Sequence, residues 1–317
     1  MELVATSIDG FLAYWCGLHE VHGEIHSVFE RALNIITSGG QLISVISSIG
    51  LEGPNTVVAE LPLGLNFIAM GLRSGMPVRM GRVEADVGRG ALRLRMNLAQ
   101  KWWPRLAGGA QRMDMTRLRD NLSTLVQTLP RGEIKGGLGR LIYHVGEMVA
   151  GRWKAVESLR LSRLERQALP GIRDLLSGTL EPDEARLGRG LGRLIGLGGG
   201  LTPSGDDLLL GFIGTLSVVS RRVGGPEVEG LLEIFKRHLI ILKDRTTFVS
   251  GNLLSYAPGG RISSPILSLE RALLFGKNSA VRCAVKDLLR LGASSGSEVL
   301  LGILLALFLV PQLPVRS

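Results

Sequence analysis

The chain has 317 residues, a net charge of +9 and 45% hydrophobic residues, so it is long enough for two domains that each bury a core. Its basic residues are mostly single arginines, and only 5% of its residues are aromatic, which argues against a nucleic-acid partner. Two cysteines, Cys16 and Cys283, and a start without a signal-peptide pattern lead us to expect a cytoplasmic protein without a disulfide framework.

Residues 41–100 carry short apolar runs separated by Gly and Pro, a pattern typical of strands. Ahead of them, Ile25–Thr37 spaces its apolar residues as an amphipathic helix does. We therefore predict an α+β protein whose first domain, residues 1–105, is β-rich, either a barrel or a strongly bent sheet, with an N-terminal helix. The predicted strands are Gln41–Ile49, Thr56–Leu61, Asn66–Ala69, Val78–Val87 and Leu92–Asn97.

From Asp114 onward the apolar residues recur at helical spacing, so the second domain, residues 106–317, is predicted to be all helical. Leu208–Val219 and Val299–Leu309 are apolar on every side and are expected at the centre of a bundle. The uncharged run Val299–Val315 is too short and too broken by glycine and proline to predict a membrane span. The predicted helices are Met115–Leu129, Gly139–Leu161, Asp183–Ile195, Leu208–Val223, Glu227–Leu242, Pro265–Phe275, Ala280–Leu291 and Glu298–Leu309.

The most informative segment is Gly196–Asp207, a glycine-rich turn that leads into Ser204, Asp206 and Asp207 at the start of an apolar helix. Glycines permit positive φ angles and close approach of a ligand, and the first amides of a helix attract anions. The carboxylates would repel a bound phosphate unless magnesium screens it, one carboxylate is protonated, or the ligand presents an amine or amide. The candidate catalytic residues are Ser204, Asp206 and Asp207, the last two also being the candidate magnesium ligands, and the candidate ligand-binding residues are Gly198, Gly199, Gly200, Thr202 and Gly205.

Part of this segment recurs, since Ser204–Gly211 aligns without gaps to Ser295–Gly302. The two helix starts are therefore expected to face one pocket. The alternative is that each copy is a capping box, in which a hydroxyl and a carboxylate three residues later only satisfy helix amides. Capping accounts for neither the glycine run nor the second carboxylate of the first copy. Ser295 and Gly296 are added as candidate ligand-binding residues, and the capping pairs would be Ser204 with Asp207 and Ser295 with Glu298.

Two nearby segments contribute further candidates. Arg186, Arg189 and Arg193 share one helix face just before the glycine loop, and Arg193 is a candidate anion ligand. The alternative for these arginines is a solvated helix face. Thr246 lies in the hydroxyl-rich segment Arg245–Gly260 and is a candidate ligand-binding residue, with helix back-bonding by its hydroxyl as the alternative.

The Gly-Leu-Thr-Pro-Ser-Gly-Asp-Asp sequence of residues 200–207 is a family signature, and on it the chain resembles the AllH-like subunit family of oxamate carbamoyltransferase. Weaker family blocks extend the resemblance over most of the chain. The last block departs from the family pattern, which usually has an aspartate after Ser-Gly, so the role of the second loop stays open. These weaker blocks are His26–Phe29 with Asn34, Gly53 with Pro54, Thr246–Leu254, and Ser294–Gly296, the last followed here by Ser297 and Glu298.

The resemblance implies a subunit of a carbamoyltransferase that acts on oxamate or oxalurate and carbamoyl phosphate in allantoin degradation. It also implies partner subunits and a small anionic substrate, while neither a nucleic acid nor a membrane is expected as a partner. Two alternatives remain open at this point. One is a non-catalytic subunit that binds or scaffolds a small carboxylate or phosphate metabolite, and the other is a structural partner whose loops are only caps.

Overall fold

A computed structural model describes residues 1–47, 50–104, 106, 114–129, 134, 136–223 and 226–312. The chain divides into two compact units, residues 1–104 and 105–317. Parts of the predictions fall on residues 48–49, 107–113 and 313–317, which lie outside the described residues. These parts are the end of strand Gln41–Ile49, the start of the second domain and the end of the run Val299–Val315.

The first unit is a closed barrel. Within the described residues its elements are β1 (Glu2–Asp9), α1 (Gly10–Leu18), β2 (Val21–Val28), β3 (Ala32–Thr37), β4 (Leu42–Ile46), β5 (Thr56–Ala59), β6 (Pro77–Met80), β7 (Glu84–Val87), β8 (Leu92–Arg95) and β9 (Gln100–Trp102). Eight of these strands form a ring in the order β1-β5-β4-β3-β2-β6-β7-β8, and β1 closes it by pairing with both β5 and β8. The short β9 pairs in parallel with the end of β1. The prediction of a β-rich, barrel-like first unit is therefore confirmed.

The barrel is filled by alternate side chains of each strand. On β8, Leu92 and Leu94 are fully buried while Arg93 and Arg95 are exposed, which is the two-residue period of a strand with one face on the core. Phe67 enters the same core from a loop. Apolar side chains thus fill the interior of the barrel.

Three local predictions in this unit are wrong. Ile25–Thr37 is not a helix, because β2 and β3 form an antiparallel hairpin across it, with Ile25 opposite Ile35. Val78–Val87 is not one strand but the hairpin of β6 and β7, which turns after Met80. Asn66–Ala69 is a turn, held by the Asn66 side chain, which accepts from the Ala69 amide at 2.8 Å. The helix of this unit is α1, which follows the first strand.

The second unit is helical throughout its described residues, as predicted. The segment predicted as one helix over Gly139–Leu161 is instead broken into a 3-10 turn, Gly139–His144, and two short helices. The long helix Arg163–Leu180 was not predicted, because Pro170 and Gly171 interrupt its helical spacing of apolar residues. The helices are α2 (Met115–Thr128), α3 (Val145–Val149), α4 (Trp153–Glu157), α5 (Arg163–Leu180), α6 (Glu184–Leu194), α7 (Ser204–Val223), α8 (Pro226–Leu242), α9 (Phe248–Tyr256), α10 (Ser264–Phe275), α11 (Asn278–Leu289) and α12 (Ser295–Leu309).

Helices α7 and α12 pack backbone to backbone at the centre of this unit. A Cβ atom on Gly211 of α7 would overlap the carbonyl oxygen of Val299, and one on Gly302 of α12 would overlap that of Leu208. These contacts are reciprocal, because Gly211 corresponds to Gly302 in the alignment of the two Ser-Gly copies, and Leu208 corresponds to Val299. The two helices therefore cross about an approximate two-fold axis, with glycine required at the crossing.

Among the described residues, one segment, Ser295–Gln312, is long and apolar enough to cross a membrane by length and composition. Its residues are 78% buried inside the protein, which suits the predicted core helix. Its apolar side chains face other helices of the same unit.

Candidate functional site

The glycine loop joins α6 to α7 and is exposed at its tip. Three of its glycines, Gly196, Gly198 and Gly200, have positive φ angles of 75°, 113° and 91°, which non-glycine residues rarely adopt. A Cβ atom on Gly199 or Gly200 would meet nothing within 4 Å. The tip is therefore open to a ligand, whereas the base is not, since a side chain on Gly196 would overlap the carbonyl oxygen of Arg245.

Asp206 lies at the base of the loop and ties it to the helices. Its side chain is 1% exposed. One carboxylate oxygen accepts from the Gly196 amide at 2.8 Å, the other from the Thr246 hydroxyl, and Ser250 donates to it as well. Burial raises the pKa of Asp206, and these three donors oppose the increase. Because protein groups occupy both of its oxygens, Asp206 acts in this structure as the anchor of the loop.

Asp207 lies one residue further along α7 and has different donors. It is 4% exposed, and it accepts hydrogen bonds from the Thr202 hydroxyl at 3.1 Å and from Ser295. Burial raises the pKa of Asp207 to about 7; the two hydroxyls lower it in part, and the negative charges of Glu298 and Asp206 add to the increase. A carboxyl group with such a pKa exchanges a proton near neutral pH.

The second Ser-Gly copy reaches the same place, as its alignment with the first predicts. The hydroxyls of Thr202 and Ser295 are 3.2 Å apart, so the starts of α7 and α12 meet at Asp207. Thr202 and Ser295 are only partly buried, and they form the border between Asp207 and the exposed loop tip. The two helix starts therefore meet, and the expectation that they face one ligand pocket stays a prediction.

The capping alternative is wrong for both copies. In α7 the amides of Asp206 and Asp207 bond to the carbonyl of Pro203, so Pro203 and not Ser204 is the capping residue. In α12 the cap is Ser294, whose side chain makes no capping bond. The side chains that the capping boxes would use are instead turned toward other elements. Ser204 is buried and packs against the loop at Gly198.

Glu298, at the position equivalent to Asp207, has a different partner. Its carboxylate accepts from the Leu138 amide at 3.1 Å and from the Ser294 hydroxyl at 3.3 Å. It is 1% exposed, so the second copy buries a carboxylate as the first does, but uses it to fix the segment ahead of the Gly139–His144 turn. Its role at Asp207 is electrostatic.

The glycine in each Ser-Gly pair has a packing function. A Cβ atom on Gly205 would overlap the carbonyl oxygen of Leu194 at the end of α6, and one on Gly296 would overlap that of Leu288 in the last turn of α11. Each helix start thus packs against the end of the preceding helix. This contact explains why both positions are glycine, and the predicted ligand contacts of Gly205 and Gly296 stay predictions.

The hydroxyl-rich segment supplies side chains from just ahead of α9. Thr246 is extended, not helical, and bonds to Asp206, so back-bonding to its own helix does not explain it. Thr247 caps α9 and donates to the carbonyl of Leu201 at 2.6 Å, which fixes the loop tip. Ser250, on the first turn of α9 and in the same hydroxyl run, donates to Asp206 as well.

The arginines of α6 make ion pairs away from Asp207. Arg193 is paired with Asp174 of α5 at 2.6 Å, and Arg186 with Glu181 and Asp183, both at 3.8 Å. Their side chains lie partly in solvent, as the solvated-face alternative predicts. The structure therefore does not bring Arg193 to the two carboxylates, and its predicted ligand contact gains no support from this geometry.

Magnesium also gains no support from the described residues. No three or more His, Cys, Asp or Glu side chains among them are grouped to hold a metal ion. Asp206 has protein donors on both oxygens, and Asp207 is enclosed by hydroxyls. The repulsion foreseen between the carboxylates and an anion is weaker at Asp207, because burial raises the pKa of this group to about 7 and part of the population is then protonated near neutral pH.

Models of known protein families match residues in both units of the chain. Residues 194–307 match the family model described as oxamate carbamoyltransferase subunit AllH, and residues 4–101 match the AllH family N-terminal domain. The first of these ranges contains the glycine loop, the hydroxyl-rich segment and the second Ser-Gly copy, and the other covers nearly the whole barrel. No solved structure matches the chain.

Proposed function

Since this chain belongs to the AllH family of oxamate carbamoyltransferase subunits, we propose that its glycine-loop site carries out carbamoyl transfer between oxamate and carbamoyl phosphate. Asp207 carries the proposal, because it combines burial, a pKa of about 7 and a position beside an exposed loop tip. General bases work best when their pKa lies near the working pH. The aspartate in the other position, Asp206, holds the loop in place.

The proposed reaction needs a proton acceptor and an anion site. The amide nitrogen of oxamate attacks the carbamoyl carbon, a nitrogen–carbon bond forms, and the carbon–oxygen bond to phosphate breaks. Asp207 takes the proton that the nitrogen loses, and phosphate leaves with the bridging oxygen and the electron pair. The products are oxalurate and phosphate, and the reverse reaction uses the protonated Asp207 as the acid.

The open tip of the loop is the proposed anion site. Among the described residues, no hydrogen bond satisfies the amides of Gly199, Gly200 and Leu201, and unpaired amides before a helix start bind phosphate or a developing oxyanion. Thr202 and Ser295 lie between this tip and Asp207 and would position the reacting groups. In the reverse reaction phosphate is the incoming group and Asp207 is protonated, so the carboxyl does not repel it.

The matched family is described as a subunit of oxamate carbamoyltransferase, and a subunit implies partner chains. We therefore include in the proposal a hetero-oligomer with other carbamoyltransferase subunits, a cytoplasmic location and a place in allantoin degradation. The alternative of a non-catalytic binding subunit shares the same loop and ligands. It differs in one respect, since a binding subunit does not need the proton exchange of Asp207.

The test is turnover by the reconstituted complex with wild-type chain, with Asp207→Asn and with the control Asp120→Asn, an exposed aspartate of α2. We expect Asp207→Asn to lower kcat by about 10²–10⁴-fold, the usual contribution of a general base, and the control to have no effect. In parallel, ligand binding is measured as the shift in melting temperature of the chain. The ligands are oxamate, oxalurate, carbamoyl phosphate, phosphate and magnesium. Unchanged turnover by Asp207→Asn with retained ligand shifts would replace catalysis by the binding-subunit alternative.

A further inference from the structure

A polar cavity lies in the helical unit and has none of the glycine-loop residues on its wall. It measures about 490 Å³, which is within the usual range for small-molecule sites. Its wall is formed by the Gly139–His144 turn, by residues 159–161 and by the first turn of α5. None of these residues belongs to the site around Asp207. The polar side chains on its wall are Arg140, Tyr143, His144, Arg160 and Glu165.

Glu165 is the unusual member of this set. It is 1% exposed, and one of its carboxylate oxygens, Oε2, accepts from the Ser162 amide at 2.6 Å as part of the capping box of α5. Among the described residues, the other oxygen, Oε1, has no hydrogen bond, and its ion pair with Arg140 is long, 3.8 Å. A buried carboxylate oxygen without a donor is costly. Capping thus explains one oxygen and leaves the other, buried at the cavity wall, without a donor among the described residues.

The rest of the cavity has the opposite charge. Arg140 and Arg160 both line it, and a hydrogen bond from the Arg140 side chain to the Arg160 carbonyl, 3.3 Å long, holds the two segments together. Guanidinium groups bind carboxylates in preference to neutral groups. The cavity therefore offers a cationic part and, at Glu165, an acceptor that needs an N–H donor.

From this arrangement we propose that the cavity binds a small carboxylate that also carries an amide or amine. The carboxylate of the ligand pairs with Arg140 and Arg160, and its N–H group donates to Oε1 of Glu165. A dicarboxylate is disfavoured, since its second charge would lie against Glu165. This proposal is independent of the carbamoyl-transfer proposal, which rests on other residues.

Three probes of nearly the same shape test it: succinamate, levulinate and succinate, in which one end is an amide NH₂, a methyl group or a charged oxygen. Calorimetric titration of the full chain should show succinamate binding about tenfold more tightly than levulinate, the gain expected from one hydrogen bond to a carboxylate, with succinate weakest. In Glu165→Gln the preference for succinamate over levulinate should shrink, and succinate should gain. The substitution keeps a capping-box side chain at this position, so circular dichroism should show an unchanged fold.

Two further variants locate the binding. Arg140→Gln should weaken all three probes, while Glu157→Gln, which removes an exposed carboxylate paired with Arg173 outside the cavity, should change none. Binding that Asp207→Asn abolishes would belong to the glycine loop and would overturn the assignment. The proposal is also overturned if succinamate does not bind to the wild type, if succinate binds best, or if Glu165→Gln leaves the order of the probes unchanged.

Discussion

Asp207→Asn should make the protein more stable as well as inactive, and the gain should depend on pH. Burial raises the pKa of Asp207 from 3.8 to about 7 in the folded protein. The unfolded chain loses this proton at lower pH than the folded chain. The contribution of Asp207 to stability is therefore complete below about pH 4 and is lost as the pH rises toward 7, whereas asparagine has no such dependence.

The magnitude follows from the two pKa values. One pKa unit corresponds to about 1.4 kcal/mol, so ionisation of Asp207 in the unfolded chain lowers the free energy of unfolding by about 1.5 kcal/mol near pH 5. Near pH 8, above both values, the loss reaches about 4 kcal/mol. The stability advantage of Asp207→Asn over the wild type should thus grow by roughly 2–3 kcal/mol between these pH values.

Urea unfolding, followed by far-UV circular dichroism, measures this difference. Every other titrating group is present in both proteins, so the difference between their pH profiles isolates residue 207. Asp120→Asn, which removes one exposed negative charge, serves as the control and should not reproduce the gain. If the advantage of Asp207→Asn is also constant between about pH 5 and pH 8, the carboxyl titrates alike in both states and the argument for its role as a proton acceptor fails.

Three more predictions concern the surroundings of this group. Glu298→Gln removes a charge that raises the pKa of Asp207, so the pH midpoint of turnover should move to lower pH; a midpoint that stays in place would show that the two groups do not interact. Thr246→Val deprives a buried carboxylate of a donor and should lower the free energy of unfolding by about 1–3 kcal/mol, measured in urea, and an unchanged value would contradict the bond. Gly302→Ala should cost at least about 1–3 kcal/mol through overlap at the helix crossing, whereas Gly230→Ala, at an open position of α8, should gain up to about 1 kcal/mol in thermal unfolding; equal effects would refute the close crossing.

The general architecture could be predicted from sequence because its signals are local. Short apolar runs between glycines and prolines indicated the barrel, and long helical periods indicated the second unit. The failures occurred where a local pattern had two solutions. Ile25–Thr37 has helical spacing, but pairing with neighbouring strands decides its conformation. The first strand, β1, alternates correctly but was not predicted, so the choice between a barrel and a strongly bent sheet stayed open.

The location of the site could also be predicted, because a segment that combines glycines, hydroxyls and adjacent carboxylates is rarely needed for structure alone. The division of roles between Asp206 and Asp207 could not. It depends on which donors surround each carboxylate, and these come from segments far along the chain. Thr246 reaches Asp206 from 40 positions away. Local sequence contains no information on such a contact, whereas the alignment of the two Ser-Gly copies gave an indirect signal for Ser295.

The direct crossing of α7 and α12 also determines at which stage of folding the site around Asp207 forms. Thr202 and Ser295 are 93 positions apart, and Leu138 and Glu298 are 160 apart. Contacts of such sequence separation carry a high loop-closure entropy and tend to form late. The last long helix must therefore emerge from the ribosome and dock before Asp207 is enclosed. A chain that ends ahead of α12 retains the whole glycine signature but lacks the surroundings that give it chemistry.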